Sequence, residues 1–482
     1  MLKRLSGLLS LIYIALYSPG SHASPWIGTI EPQLHADLQT LAEWGYIDVA
    51  ITSFPVPWKG IVAQLEALRD KDLAPSAMIA LQRLRHYIHQ LHAGRERSFV
   101  SLYGATQGSR FSTFDSALAS KAKLSIDTEL YKGRWAANIA INYLPGGEKN
   151  LDRSFIAYQF GDWNLRLGSL DQWWGPATSS SLIVSNNARP IPAIALSRAE
   201  SGRSSDSWLS VLGPWYFTTQ LGQLESKRHV PDAKLLMSRF NFKPLSDLEV
   251  GVSWLTLWGG KGQGNGLGDL WDAAFVLTDC SVNSSSCQED DATKGNHIAS
   301  LDFKYTAMLA KRPVSIYSQL LTESSSSEQA TLFGLASYVE GYRVYLESSN
   351  TEVACSKSDD VMANCVYEDR LYQSGMRYHG RAIGSTFDSD AKTLILGVAK
   401  HYSDGDMMEL ALRKIELNSD RQQPSPVVMG NNEKIAQVSG FYQSNWGNWQ
   451  VKLGGLVERS RADSGDTATN KLLYTQIKYA FN

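Results

Sequence analysis

Beyond its first residues, the 482-residue chain lacks any apolar run approaching the roughly 18 residues that a membrane-spanning helix requires. It also lacks a basic excess: 46 Lys and Arg stand against 48 Asp and Glu, a formal net charge of −2. That balance gives no electrostatic reason to expect a nucleic-acid partner. No internal repeat of about 20–50 residues supports a propeller, and no low-complexity linker or long charge block divides the chain.

Catalytic and metal-binding motifs are also missing. The chain has no G-x-S-x-G motif, and its nine histidines show neither metal-ligand nor nucleophile spacing. His86, His89 and His92 drift around a predicted helix, which favours a solvated face over a metal site. We therefore predict no metal, no cofactor and no enzymatic activity, with His229 as the remaining candidate for a general base.

Cysteine is scarce, and its four residues form two local pairs in polar segments. Cys280 lies near Cys287, and Cys355 lies near Cys365. In an exported protein this arrangement favours two short-loop disulfides, although three connectivities are possible. No histidine lies near either pair, so metal binding is not expected.

The first residues predict export. Lys3 and Arg4 precede an apolar run over 5–17, and Ser21-His22-Ala23 places small residues at a cleavage site. Residues 1–23 therefore read as a signal peptide, with an anchoring helix as the alternative. Removal of this segment would leave 44 basic against 48 acidic residues, a net charge of −4.

Helical periodicity characterises residues 24–97. Leu34, Leu38 and Leu41 recur at helical spacing, and a further helix is predicted from Pro75 to near Gly94. The period then changes to two near Ser98. The segments 124–130 and 135–143 alternate apolar and polar residues over about ten positions, with aromatic residues at the ends of the apolar face. These dimensions are typical of strands that cross a bilayer, rather than of a soluble β-sandwich.

The spacing of the connections supports the same interpretation. Short turns, such as Lys132-Gly133 and Glu340-Gly341, alternate with long connections at about 171–205, 259–296, 350–390 and 417–433. If the short turns are periplasmic and the long connections extracellular, residues 98–482 form about 18 antiparallel strands. We therefore predict an all-β transmembrane barrel, preceded by a periplasmic α-helical domain, in the outer membrane of a Gram-negative bacterium. Both cysteine pairs then lie in extracellular loops.

The first long loop carries the candidate ligand-binding residues. Alternation along 163–168 predicts lipid-facing Leu165 and Leu167, and its continuation directs Trp173 to the interfacial girdle and Trp174 to the lumen. Indole rings stack on sugars, amides bind hydroxyl groups, and arginine grips carboxylates. The candidate glycan-binding residues are Trp173, Trp174, Asn186, Asn187, Arg189 and Arg198. The alternative is an inward-folded plug whose arginines pair with lumen acids such as Asp127 or Glu347.

Three segments carry a family resemblance: "LQTLAEWGYIDVAITSFPVPW", "DQWWGPATSSSLIVSNNARPIPAIALSR" and "MRYHGRAIGSTFDSDAKTLILG". They resemble the capsule assembly Wzi family over nearly the whole mature chain. The resemblance implies an outer-membrane barrel with a periplasmic helical bundle, acting as a surface lectin that attaches capsular polysaccharide. The candidate site residues come from loop placement and side-chain chemistry, not from the resemblance.

These observations favour a monomeric, non-enzymatic lectin whose partners are capsular polysaccharide, outer-membrane lipids and, as a further candidate, capsule export machinery. A passive pore is the alternative, and an outer-membrane hydrolase is a third hypothesis. The residues expected to line such a pore are Arg239, Asn241, Lys243, Arg343 and Glu347. The sequence identifies neither the glycan nor its linkage.

Overall fold

The structure is a computed structural model that describes residues 25–27, 31, 33–68, 73–92, 97–204, 209–275, 295–323, 328–353 and 363–481. The predicted signal peptide lies outside these residues. So do Cys280, Cys287 and Cys355, and both disulfides therefore stay predictions. The described helices are Gln33–Glu43 (α1), Ile61–Ala67 (α2), Pro75–His92 (α3) and Leu267–Phe275 (α4). None of these helices combines the length and apolar character needed to span a membrane.

The strands form a closed antiparallel barrel, and its first and last strands pair with each other along 98–105 and 474–481. This confirms the predicted fold class and the count of 18 strands. The barrel strands β1 to β18 are, in order, Arg97–Ala105, Ala122–Lys132, Trp135–Tyr143, Phe155–Phe160, Trp163–Gly168, Ala193–Arg198, Trp215–Gln223, Lys234–Leu245, Leu248–Trp258, Gly295–Leu309, Arg312–Glu323, Ala330–Val339, Tyr342–Asn350, Ala391–His401, Met407–Leu417, Glu433–Trp446, Trp449–Ala462 and Thr467–Phe481.

Short strand pairs accompany the barrel. Lys149–Asn150 pairs with β3 just before β4. Trp26–Ile27 pairs with Val56–Pro57, and Arg377–Tyr378 pairs with Arg381–Ala382. The pair formed by Ser53–Phe54 and Trp173–Trp174 joins the N-terminal region to the first long loop.

Side chains alternate across the barrel wall as the period of two predicts. On β3, Ile139 is 50% exposed, whereas its neighbour Asn138 is 2% exposed. On β5, Leu167 is 58% exposed and Arg166 is 2% exposed. The apolar outer face suits lipid, and closure pairs the strand edges that an open sheet would leave exposed.

Connections of different length emerge at the two ends of the barrel. We call the end where β2 turns into β3 the turn end, and the end where β5 leaves for β6 the loop end. The segment predicted as one long loop at 171–205 contains β6, so this loop ends near residue 192. Residues 199–204 and 209–214 lie at the turn end. Sequence alternation misses β6 because its inward residues Ala193 and Ala195 are small but not polar.

The N-terminal helices lie at the turn end. Leu38 and Leu41 of α1 pack against Leu81 and Leu84 of α3, and all four side chains are fully buried. This apolar interface explains the helical periodicity of the segment. From α1 the chain continues into the barrel interior, where residues 51–54 meet the loop that enters from the opposite end.

Candidate functional site

Arg239 on β8 anchors the N-terminal segment inside the barrel. Its guanidinium forms a bidentate ion pair with Asp302, at 2.7 and 3.0 Å. It also donates to the Ser53 Oγ at 2.6 Å and the Thr52 Oγ1 at 2.9 Å. This residue, expected to line a pore, is fully buried against the N-terminal segment instead.

We call the N-terminal residues 33–54 and the first long loop, residues 171–192, the plug, since they meet inside the barrel. Two wall carboxylates hold backbone amides of the plug. Glu249 accepts the Ile51 amide at 3.1 Å and the Thr52 amide at 2.9 Å. Glu347 accepts the Thr178 and Ser179 amides of the first long loop, at 2.8 and 2.9 Å. The alternative in which a loop arginine pairs with Glu347 is therefore wrong, because the loop binds this carboxylate through its backbone amides.

The lumen cations are also occupied. Lys243 lies 2.8 Å from an Asp48 oxygen. Lys304 and Arg343 lie 2.7 and 3.3 Å from Glu43 of α1. Burial alone would raise the pKa of Glu43, but the Arg343 and Lys304 charges hold it below its ordinary value. Among the described residues, the expected pore lining is thus bound to the plug.

A second segment, residues 363–390, forms a cap at the loop end. Arg377 pairs with both oxygens of Asp388, at 2.8 and 2.7 Å, and with Glu368 at 2.5 Å. Arg381 donates to the Asn187 backbone oxygen at 2.7 Å and to its Oδ1 at 2.6 Å. The cap therefore holds the first long loop in its folded position.

The two candidate tryptophans lie inside the barrel. Trp173 is 3% exposed and Trp174 is 0% exposed. Trp173 donates to the Ala177 oxygen at 2.8 Å and meets the Phe114 ring edge-on at 5.6 Å. The expectation that Trp173 faces the interfacial girdle is wrong, because the chain turns inward after β5. Neither indole has an exposed face for a sugar in this arrangement.

The other candidate residues separate into two groups. Asn187 donates to the Ala382 oxygen at 3.1 Å and lines a cavity together with Asn186 and Arg189. Arg198 lies apart, near the turn end of β6, 4.0 Å from the Trp215 ring centroid and 2.8 Å from the Gly202 oxygen. The structure thus brings three of the six candidates to one surface.

Arg189 is already paired at this surface. Its guanidinium lies 2.7 Å from Asp152 and 3.2 Å from Glu148. Burial alone would lower the pKa of Arg189, but the Asp152 carboxylate raises it above its ordinary value. Arg189 is therefore held in place. Its positive charge is largely neutralised by the two carboxylates, which leaves little of it to attract a ligand.

The cavity, which we call the wall cleft, has a volume of about 670 Å³. It separates the plug from the inner faces of β1, β2 and β16–β18. Its lining combines amides, cations and tyrosines, among them Tyr103, Lys121, Lys123, Asn150, Asn186, Asn187, Arg189, Tyr378, His379, Arg381, Gln443, Gln450, Lys452, Gln476 and Lys478.

Sequence reasoning missed most of these residues. Lys123 is the informative case, because it shares the inward parity of Ser125 and Asp127 on β2. That alternation could have placed it in the lumen. Lys121 and Lys123 form no ion pair with the residues that the structure describes, unlike Arg189. No group of His, Cys, Asp or Glu within the described ranges could hold a metal ion.

A closed antiparallel barrel with an apolar outer face, an interior filled from both ends and a polar cleft defines the class of plugged membrane barrels. The family model for the capsule assembly protein Wzi matches residues 91–472. The chain belongs to this family.

Two further similarities agree with the fold. A protein from the cps region of Klebsiella pneumoniae, described as an uncharacterized 55.8 kDa protein, is 28% identical over 331 residues. That match covers 66% of this chain and 61% of the relative. The structure of Escherichia coli Wzi matches with a TM-score of 0.77 at 22% identity, over 93% of this chain and 98% of that one. It is described as an outer membrane protein involved in group 1 capsule assembly and a carbohydrate-binding β-barrel.

Proposed function

We propose that the chain is a non-enzymatic outer-membrane lectin that binds capsular polysaccharide and attaches the capsule to the cell surface. In this proposal the loop end faces outward, and the helical turn end faces the periplasm. Family membership and the carbohydrate-binding description of the E. coli structure support the ligand class. We further propose that the protein is a monomer in contact with outer-membrane lipids, with capsule export machinery as a candidate partner.

The wall cleft is the observation that carries this proposal. Asn186 and Asn187 present amides that suit sugar hydroxyl groups, and the Tyr378 ring adds an amphipathic surface. The cap bonds Asn187 through Arg381 and so holds this lining in a fixed geometry. A preorganised polar surface costs less to order when a flexible glycan binds.

Charge in the cleft favours an acidic sugar. Lys121 and Lys123 have no ion-pair partner among the described residues, whereas Arg189 is neutralised by Asp152 and Glu148. A carboxylate-bearing sugar would therefore gain most from the two lysines. We assign Arg189 the role of positioning the Asn186–Asn187 segment.

A binding experiment tests this assignment. We expect the Lys121→Ala/Lys123→Ala variant to bind purified, fluorescently labelled capsular polysaccharide about 5- to 150-fold more weakly, a loss of about 1–3 kcal/mol. Arg421→Ala is the matched control, because Arg421 is a 60% exposed cation in the 418–432 connection, which does not line the cleft. Cells producing the lysine variant should release more capsule and retain less.

All variants must reach equal surface levels and show equal heat-modifiability, the gel-mobility shift of an assembled barrel. Unchanged affinity and capsule retention in the double lysine variant would remove the cleft from the binding site. An equal loss in Arg421→Ala would show non-specific charge attraction instead.

A passive pore is the second candidate function, and one observation favours it. A cavity of about 580 Å³ at the turn end shares Gln33, Gln450 and Lys478 with the wall cleft. These shared residues form a polar partition beside the plug. Single-channel recording separates the two functions, since a closed lectin shows no steady conductance and a pore does.

A further inference from the structure

Helix α4 packs on the outside of the barrel at the loop end. Leu301 and Phe303 on β10 are 48% and 39% exposed and face outward. The register of β10 with β9 is unbroken from Gly295 to Tyr305, so Gly295 faces outward too. A Cβ built on Gly295 would lie 2.6 Å from the Ala273 Cβ of α4. The helix therefore lies directly against the outer wall.

Several outward-facing residues near this rim are buried rather than exposed. Thr256, Trp258 and His297 share the parity of the lipid-facing positions, yet they are 0%, 3% and 5% exposed. The His297 ring stacks on Trp254 at 5.4 Å, and the Lys234 ammonium lies 4.6 Å from the Trp258 ring centroid. A covered patch that is largely aromatic thus continues the lipid-facing band upward to α4.

The helix carries a second apolar surface beside its barrel contact. Ala273 and Ala274 are 1% and 2% exposed, whereas Leu267 is 84% exposed and Trp271 is 62% exposed. At about 100° per residue, Leu267, Trp271 and Ala274 fall within about 60° of one another. The apolar sector of the helix therefore extends from the wall towards the surroundings.

The opposite side of the helix is polar. Asp269 and Asp272 lie roughly 160° and 140° from Leu267 on the helical wheel, and Asp272 is exposed. An amphipathic helix of this kind, with a tryptophan at the edge of its apolar face, is typical of helices that lie in the plane of a membrane interface.

We infer that α4 is an interfacial helix that seats Leu267 and Trp271 in the boundary between lipid headgroups and acyl chains beside β9 and β10. The lipid surface is the occupant because the apolar sector is continuous with the lipid-facing band of the same strands. Asp272 then faces water. The inference rests on the barrel alone and does not depend on the proposed glycan ligand.

Site-directed spin labelling tests the inference. A nitroxide is attached to the Trp271→Cys variant and, as the matched control, to Asp272→Cys on the polar side of the same helix. Both proteins are reconstituted in phosphatidylcholine liposomes. We expect the label at position 271 to collide mainly with oxygen, and the label at position 272 mainly with a water-soluble nickel chelate. The unsubstituted protein, treated in the same way, measures any signal from native thiols.

The alternative outcomes are distinct. Strong nickel collisions at both positions would place the helix in water and overturn the inference. Spin–spin broadening that grows with protein density would identify a second copy of the chain as the occupant, and would also overturn it. If Trp271→Cys loses heat-modifiability, Leu267→Cys supplies the same measurement from the same face.

Discussion

The two sides of the barrel interior differ in how tightly the plug fills them. Along β8–β14, wall residues such as Arg239, Glu249 and Glu347 bond directly to plug atoms and are fully buried. Along β1, β2 and β16–β18, the plug stands away from the wall and leaves the wall cleft of about 670 Å³. One side therefore holds the plug, and the other remains available for a ligand.

This difference separates stability from recognition within one lumen. On the tight side, each charge is desolvated and requires its partner. On the open side, polar groups keep room for water or sugar hydroxyl groups, so their removal leaves no buried orphan. Substitutions on the two sides should therefore differ in kind as well as in size.

The largest effect is expected from Arg239→Ala. The substitution leaves the Asp302 carboxylate, whose side chain is 1% exposed, without its counter-charge. We expect the free energy of unfolding to fall by about 3–5 kcal/mol. Urea titration in detergent, followed by heat-modifiability, measures this loss. Single-channel recording should also show intermittent opening, because the plug loses its contact through Thr52 and Ser53.

Lys452→Ala gives the matched comparison on the open side. Its ammonium lies 2.7 Å from Asp115, whose side chain is 21% exposed at the edge of the wall cleft. The lysine side chain itself is 5% exposed, but the cleft lets water reach the Asp115 carboxylate once the lysine is removed. We therefore expect a loss of about 1–2 kcal/mol. Equal losses for Lys452→Ala and Arg239→Ala would contradict the division into a tight side and an open side.

An intermediate effect is expected from Arg377→Ala in the cap. Its removal leaves Glu368 and Asp388 unpaired in a segment that can loosen towards water, so we expect a local loss of about 2–3 kcal/mol. Limited proteolysis should cut residues 363–390 faster while the barrel keeps its heat-modifiability. If the barrel instead unfolds with the cap, the cap belongs to the tight side.

The last prediction is a pH dependence of the cap. Burial raises the pKa of Asp390 to about 8, with Asp420 adding repulsion, and burial raises the pKa of Asp369 to about 6. A raised pKa in the folded state gives stability that is present near pH 4 and is lost as pH rises through these values. The melting temperature should therefore fall between about pH 4 and about pH 8. Asp390→Asn should flatten most of this decline, and an unchanged slope would exclude Asp390 as its source.

The local features of this fold could be predicted from the sequence because they depend on near neighbours. The helical period over 33–43 and 75–92 and the alternation along β3 and β5 follow from burying one face of each element. The even number of strands also follows from the alternation of short turns and long connections along the chain. β6 escaped detection because alanine and serine on its inner face give no contrast in polarity.

The candidate site was harder to predict because its partners are remote in sequence. Trp173 is held by Phe54 and Phe114, and Asn187 by Arg381, almost 200 residues away. The alternation of side chains along β5 does not indicate where side chains point beyond Gly168, where the strand pairing ends. Asn186, Asn187 and Arg189 belong to one loop, so their position on one surface could be expected from the sequence. The available charge of Lys123 could not, because it depends on which acids other segments supply.

The plug has a consequence for the order of assembly. Its bonds join residues that are far apart along the chain: Thr52 and Glu249 are separated by 197 positions, and Gln33 and Gln443 by 410. Contacts of such separation reward folding only after the intervening chain has been organised. Hairpins between successive strands can therefore form early. The residues that precede the barrel strands, such as Gln33 and Thr52, are among the last to find their partners. Docking of the plug should therefore set the slow phase of maturation. A barrel whose plug has not yet docked would be transiently open.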